Sequence, residues 1–279
     1  MRWPDEKDWK MVSRANGDGG GVRIERASAA LGAYIYDVDL SGPLDDGAFG
    51  LISHALRDHQ MICFRDQDIT VEQQIAFTRR FGEILIDDRV LVLDRYMKDH
   101  PGVMLAGGAT VDVQLWHIDD SYSRCPLSVA IMAAKEISEF GDDQQFSNQH
   151  TAYDLLSDGM KRLLDPLRAV HRVAFKNGET EEHVHPVIRI HPATGRKCLF
   201  VNSQYTCRFD GMTEAESQPL LAFLYQHCSQ QFLTHRHCWK PGDVLIWDNI
   251  NTQHLVVSSP LGRQPRWWHR TSVAGTAPA

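Results

Sequence analysis

The chain has 279 residues, 43% of them apolar, with 14 histidines, six cysteines and a formal net charge of −7 at pH 7. Its apolar content suffices for a large core and excludes bulk disorder, while the acidic balance argues against nucleic-acid binding, which needs a basic face. No stretch approaches the roughly 18 consecutive apolar residues of a membrane span, so no membrane partner is expected either.

In chain order, residues 1–21 end in the glycine-rich stretch NGDGGG without apolar periodicity, and they are expected to form a mobile tail. Residues 22–279 are expected to form one domain. From Val22 the chain alternates in VRIERA and AYIYDVDL, the pattern of half-buried strands. PLDDGAFGLISHALRDH predicts a helix with Leu51, Ile52 and Leu56 on its apolar face, followed by a short buried strand in QMICFRD. ITVEQQIAFTRRFG predicts a second helix, with Thr70 at the N-cap, Gln73 completing a capping box and Gly82 just past the end.

Thr151 and Asp154 predict the start of another helix, with Leu155, Leu156, Met160, Leu163 and Leu164 as its buried stripe. A further helix is expected over about 214–229, its main body starting at Ser217 because Pro219 fits only a first turn. KPGDVLIWDN reads as a turn and a buried strand, QHLVVSS as a strand, and RWWHRTSVAG alternates again. Strands dominate around His117 and beyond Val187 while helices cluster in the first half, which predicts a mainly β fold with flanking helices, a sandwich or jelly roll.

The stretch WHIDDSY holds His117 and Asp119 two residues apart, a spacing that in a strand puts both side chains on one face, about 6–7 Å apart along the backbone. On its own the pair is common: two polar residues on a solvated strand would look the same. Two histidines and a carboxylate on one face of a metal form the facial triad of non-haem Fe(II) oxygenases, so a second, distant histidine is required. His254 in WDNINTQHLVVSS is the best candidate, with a strand-end histidine bonded to its turn as the competing reading. In RWWHRTSV, alternation places Arg266, Trp268, Arg270 and Ser272 on one face. Two arginines buried there would need anionic ligands, which guanidinium groups bind bidentately; on an exposed face they would need none.

These pieces together resemble the taurine dioxygenase (TauD/TfdA-like) family of Fe(II)/2-oxoglutarate-dependent oxygenases, which includes alkylsulfate and aryloxyalkanoate dioxygenases. The resemblance runs from about Val22 to Gly275 through FRDQDIT, FGE, WHIDDSY, YDLLSDGMKRLL, HPVIRIHPATGRKCLFVNSQYT, EAESQPLLAFLYQH, PGDVLIWDNINTQH and HRTSVAG, in the family's order. It implies a double-stranded β-helix (jelly-roll) core and His117, Asp119 and His254 as iron ligands. Arg266 then matches the arginine that pairs with the distal carboxylate of 2-oxoglutarate, and Arg270 one that holds an anionic group of the prime substrate. Asn202 in FVNSQYT is expected as a pocket or turn residue.

The implied activity is oxidation of a small, anionic organic substrate with Fe(II), 2-oxoglutarate and O2, releasing succinate and CO2. Halogenating relatives carry a small residue in place of the carboxylate, so Asp119 favours hydroxylation, or a desaturation or ring closure from the same radical, over halogenation. The alternatives are a natural-product tailoring oxygenase acting on a larger or neutral substrate, or a non-catalytic jelly-roll binding protein. Homodimers or homotetramers are common among such relatives.

Two positions depart from the family. FGDDQQFSN puts Gln144 where a threonine usually helps bind 2-oxoglutarate, and ILIDDRVLVL lacks the histidine expected after FGE for a sulfonate, which argues against taurine itself. The pairs His183/His185 and His235/His237 read as solvated, His150 and His171 lack an evident partner, and the stretches from Ile84 to Val113 and 172–186 are expected to line the substrate pocket. The six cysteines form no CxxC pair and follow no signal peptide, so reduced thiols in a cytoplasmic protein are expected.

Overall fold

A computed structural model describes residues 21–86, 96–107, 115–137, 143–175, 177–257 and 266–279. The expected tail up to residue 20 and parts of two pocket-lining stretches lie outside these residues. The main sheet has eight strands, in the order β1 (Arg23–Arg26), β2 (Ala33–Tyr36), β3 (Met61–Phe64), β14 (Val244–Asp248), β6 (Val129–Glu136), β16 (Trp267–Val273), β5 (His100–Gly107) and β4 (Tyr96–Met97). A smaller sheet places β7 (Asp143–Asn148) between β13 (Thr234–His237) and β15 (Thr252–Val257). A third joins β12 (Thr206–Phe209), β8 (Arg168–Ala174) and β9 (Thr180–Pro186), and β10 (Ile188–Ile190) pairs with β11 (Lys197–Leu199).

Strand alternation splits the main sheet into two faces. Ile62, Phe64, Ile131, Ala133, Val244 and Ile246 pack outward against α1 (Asp46–His59) and α2 (Val71–Arg79). Met61, Cys63, Met132, Leu245, Trp247 and Trp268 form a second core that includes Phe146 of the small sheet. The helices α3 (Gln149–Asp154), α4 (Asp158–Leu164) and α5 (Glu214–Cys228) surround a third core built on Leu164, Ala169, Val201, Leu221 and Leu224. The mainly β, helix-flanked jelly-roll architecture is therefore present, with the inner faces of the main and small sheets toward each other.

Local signals survive where they are self-contained. The Thr70–Gln73 capping box closes α2 as expected, and Gly82 follows with φ +153°. Three expectations change. Leu51 is exposed on α1, and Ala55 takes its place beside Ile52 and Leu56. The helix expected from Thr151 is two helices, because Asn148 caps the first and Ser157 caps the second, which leaves Leu155 and Leu163 exposed. The last helix begins at Glu214 rather than Ser217: Thr213 and Glu216 form a capping box, and the helix continues through Pro219. No helix among the described residues is long and apolar enough to cross a membrane, and all six cysteines are free.

Candidate metal centre and cavity

WHIDDSY is not a strand. Its one ladder contact among the described residues is the bridge between His117 and His254, in which His117 N donates to His254 O at 3.0 Å and His254 N to His117 O at 2.9 Å. After Asp119 the chain turns sharply: Asp120 adopts a left-handed φ of 52°, a conformation aspartate tolerates. The turn leads Asp120 away from the cluster, and its Oδ1 accepts from the Tyr122 hydroxyl.

The side chains nevertheless converge. His117 Nε2 lies 3.6 Å from Asp119 Oδ1, and His254 Nε2 lies 3.5 Å from Asp119 Oδ2. One donor atom from each of the three residues falls within 4.8 Å of the others, a group compact enough to bind one ion. All three residues are buried. Burial pushes the Asp119 carboxyl upward, but the Arg270 guanidinium and the two histidines more than reverse this and leave it at about 2. Burial lowers both imidazoles, against the pull of Asp119. A carboxylate with two neutral imidazoles is the protonation state that a divalent cation requires, so the donor set fits iron(II). The His117 ring is fixed by Nδ1 at 3.0 Å from Leu115 O, and Trp247 packs 5.0 Å from the His254 ring.

The three residues line a cavity of about 200 Å³ between the two sheets. Met104 to Gly107 of β5 and Met132 of β6 form one wall, and Gln144 and Val256 of the small sheet another; Tyr205, Trp239, Trp247 and Trp268 supply aromatic surface. Arg266 and Arg270 face the same space, as the alternation of β16 predicts. Arg266 is buried, and burial lowers its pKa. Arg270 donates from Nη2 to Asp119 Oδ2 at 2.8 Å, so it sits on the carboxylate of the cluster. Its guanidinium carries five N–H donors, and its Nε has no hydrogen-bond partner among the described residues.

Asn202 does not line the cavity. It is fully buried, donates to Ser121 Oγ and accepts from Tyr205 N, and so fixes a turn that carries Tyr205. No described residue of 172–186 lines the cavity either, because β8 and β9 pair with each other as an antiparallel hairpin. Tyr205 was not singled out from sequence; its ring stands edge-on to His117 at 6.3 Å. Neither HVHP nor HRH is a solvated turn. His185 is buried with Nε2 3.0 Å from Ser123 O, and His237 is buried against Asp243. His150 and His171 have partners as well, in Lys197 O and Ser121 Oγ.

The family description "Taurine catabolism dioxygenase TauD, TfdA family" matches residues 23–272. The chain belongs to that family. An alpha-ketoglutarate-dependent sulfate ester dioxygenase of Pseudomonas putida is 30% identical over 278 residues, covering 91% of this chain and 90% of the relative. A taurine dioxygenase structure from Burkholderia xenovorans superposes with a TM-score of 0.86 at 31% identity, covering 93% of this chain and 91% of that one. The structure of AAD-2 in complex with Mn(II) and N-oxalylglycine matches with a TM-score of 0.76 at 26% identity, covering 92% and 98%. This TauD/TfdA-family chain is therefore an Fe(II)- and 2-oxoglutarate-dependent dioxygenase, an oxidoreductase that consumes O2.

Proposed function

We propose that His117, Asp119 and His254 hold the iron, that Arg266 and Gln144 receive 2-oxoglutarate, and that Arg270 faces a small organic anion. The observation that carries this reading is the convergence of the three donors on a cavity that also contains two arginines. When bound, the metal supplies the O2 chemistry that converts 2-oxoglutarate to succinate and CO2 and oxidises a substrate C–H bond.

The chain's own contribution is placement. Asp119 stays ionised and the imidazoles stay neutral, so no proton competes with the ion. Arg270 holds one carboxylate oxygen of Asp119 and keeps donors for a second anion. The indole and methionine walls exclude water from the reacting C–H bond. Gln144 can donate to a carboxylate, although its reach is longer than a threonine's.

The substrate class we favour is a sulfate ester or a comparable organic anion, supported by the activity named for the Pseudomonas putida relative. Hydroxylation at the carbon bearing the ester oxygen gives a product that collapses to a carbonyl and releases the anion. The test is succinate release from 2-oxoglutarate and Fe(II) across alkyl sulfates, aryloxyalkanoates and neutral analogues of equal size. Stimulation by the anions and not by the neutral analogues is expected; equal stimulation would overturn the substrate class.

We also read residues 22–279 as one catalytic unit. The cavity draws its walls from β5 through β16, and the family match spans nearly the same range.

A further inference from the structure

We propose that Asn249 is a positioning residue for Asp119, substituting for a missing strand pairing so that the carboxylate is held in register with the two histidines. The inference rests on the assignment of Asp119 as a metal ligand. In an antiparallel ladder, hydrogen-bonded pairs recur every second residue, so a strand bridged at His117 would next be bonded at Asp119. The bridge to β15 ends at His117. At Asp119 the Asn249 side chain makes the two bonds instead: Asp119 N donates to Oδ1 at 3.0 Å, and Nδ2 donates to Asp119 O at 3.0 Å.

The carboxamide reproduces the donor and acceptor of a peptide group. Its second N–H goes to Leu127 O at 2.9 Å, and the Asn249 backbone N donates to Ser128 O at 2.9 Å. Both N–H donors of the amide are therefore used, and Asn249 is fully buried. The arrangement references the ligands to different sheets. His117 and His254 share one backbone bridge on the small sheet, whereas Asp119 is tied through Asn249 to the segment leading into β6 of the main sheet. Moving Asp119 Cα would carry its carboxylate away from both imidazoles without disturbing the histidine bridge.

The test is calorimetric titration of the metal-free full chain with Mn(II), with melting temperature recorded alongside. Asn249→Ala is expected to weaken Mn(II) binding by about 10- to 100-fold, the range for groups that orient metal ligands. Asn249→Asp keeps the acceptor for Asp119 N but turns an anion toward two carbonyls, so an equal or larger loss is expected. Thr252→Val removes another buried hydrogen bond of the same turn, from Thr252 Oγ1 to Asp248 O. It is expected to lower the melting temperature and leave Mn(II) affinity unchanged.

A folded Asn249 variant that binds Mn(II) within about twofold of wild type would overturn the proposal, as would an equal loss of affinity in Thr252→Val. Asp119→Ala separates the two layers. If it binds Mn(II) like wild type, the ligand assignment itself fails; if it alone loses binding, only the clamp fails. Should neither Asn249 variant fold, hydrogen exchange of the wild-type Asp119 amide decides: protection comparable to β14, increased by Mn(II), supports the clamp, and exchange at the rate of an open turn refutes it.

Discussion

Among the described residues, two groups of three buried side chains have donor atoms within 4.8 Å of one another: His117, Asp119 and His254, and Cys63, His237 and Asp243. They differ in what else their members do. Asp243 Oδ2 accepts from the Arg65 guanidinium, from Lys240 N at 2.8 Å and from His237 Nε2 at 3.2 Å. Burial and the adjacent Asp243 push the Cys63 thiol well above its ordinary range, so forming the thiolate that a metal binds costs more here than at an exposed cysteine. None of the three lines the cavity. Asp119, by contrast, faces the cavity together with His117 and His254. Proximity of donors is thus insufficient; competing hydrogen bonds and access to the cavity separate the proposed metal centre from a buried structural network.

The sharpest way to break this comparison is at the ligands. His117→Ala or His254→Ala is expected to abolish 2-oxoglutarate turnover, measured as succinate release, whereas Cys63→Ala should retain it; near-normal turnover in either histidine variant would refute the assignment. The structural network should answer in stability instead. Arg65→Ala leaves Asp243 buried without its cation, which costs about 3–5 kcal/mol; a large fall in the denaturant midpoint, with unchanged Mn(II) affinity, is the expected result. On the proposed pairing of Arg266 with 2-oxoglutarate, Arg266→Ala removes a charge-assisted contact worth roughly 1.5–3 kcal/mol. The apparent KM for 2-oxoglutarate should rise by roughly 10- to 150-fold, read from initial rates.

A smaller effect concerns pH. Burial, with help from His185, lowers the fully buried His171 to about 3 from an ordinary 6.5. Below 6.5 the unfolded chain takes up a proton that the folded chain refuses. Stability therefore falls as pH drops from 6.5 towards 3, by at most about 1.4 kcal/mol per pH unit. His171→Gln should flatten the slope of melting temperature against pH in that window; an unchanged slope would assign the acid lability elsewhere. The smallest expected change is Gln144→Thr, a shift of a few-fold in the apparent affinity for 2-oxoglutarate, with an unchanged value meaning that residue 144 does not touch it.

Much of this was legible in the sequence where the signal is local. Thr70 and Gln73 announce α2, and the alternation of RWWHRTSV puts Arg266 and Arg270 on one wall of the cavity. Long-range events were not legible. WHIDDSY puts His117 and Asp119 at strand spacing, but among the described residues it has a ladder partner only at His117, and the left-handed Asp120 ends the extended run. Asn249 carries no local signal, because its role depends on where Asp119 and Leu127 arrive in space. HRH looked solvated because β7, which covers it as a sheet neighbour, lies far upstream. The cap at Ser157 was passed over because an apolar stripe continued across it, although Leu155 and Leu163 do not pack.

The central claim is that one of the two clusters binds metal and the other does not. Calorimetric titration of the wild-type chain with Mn(II) should give one site per chain, retained in Cys63→Ala and lost in His254→Ala. Two sites in the wild type, or a site that disappears with Cys63 and survives the loss of His254, would contradict it.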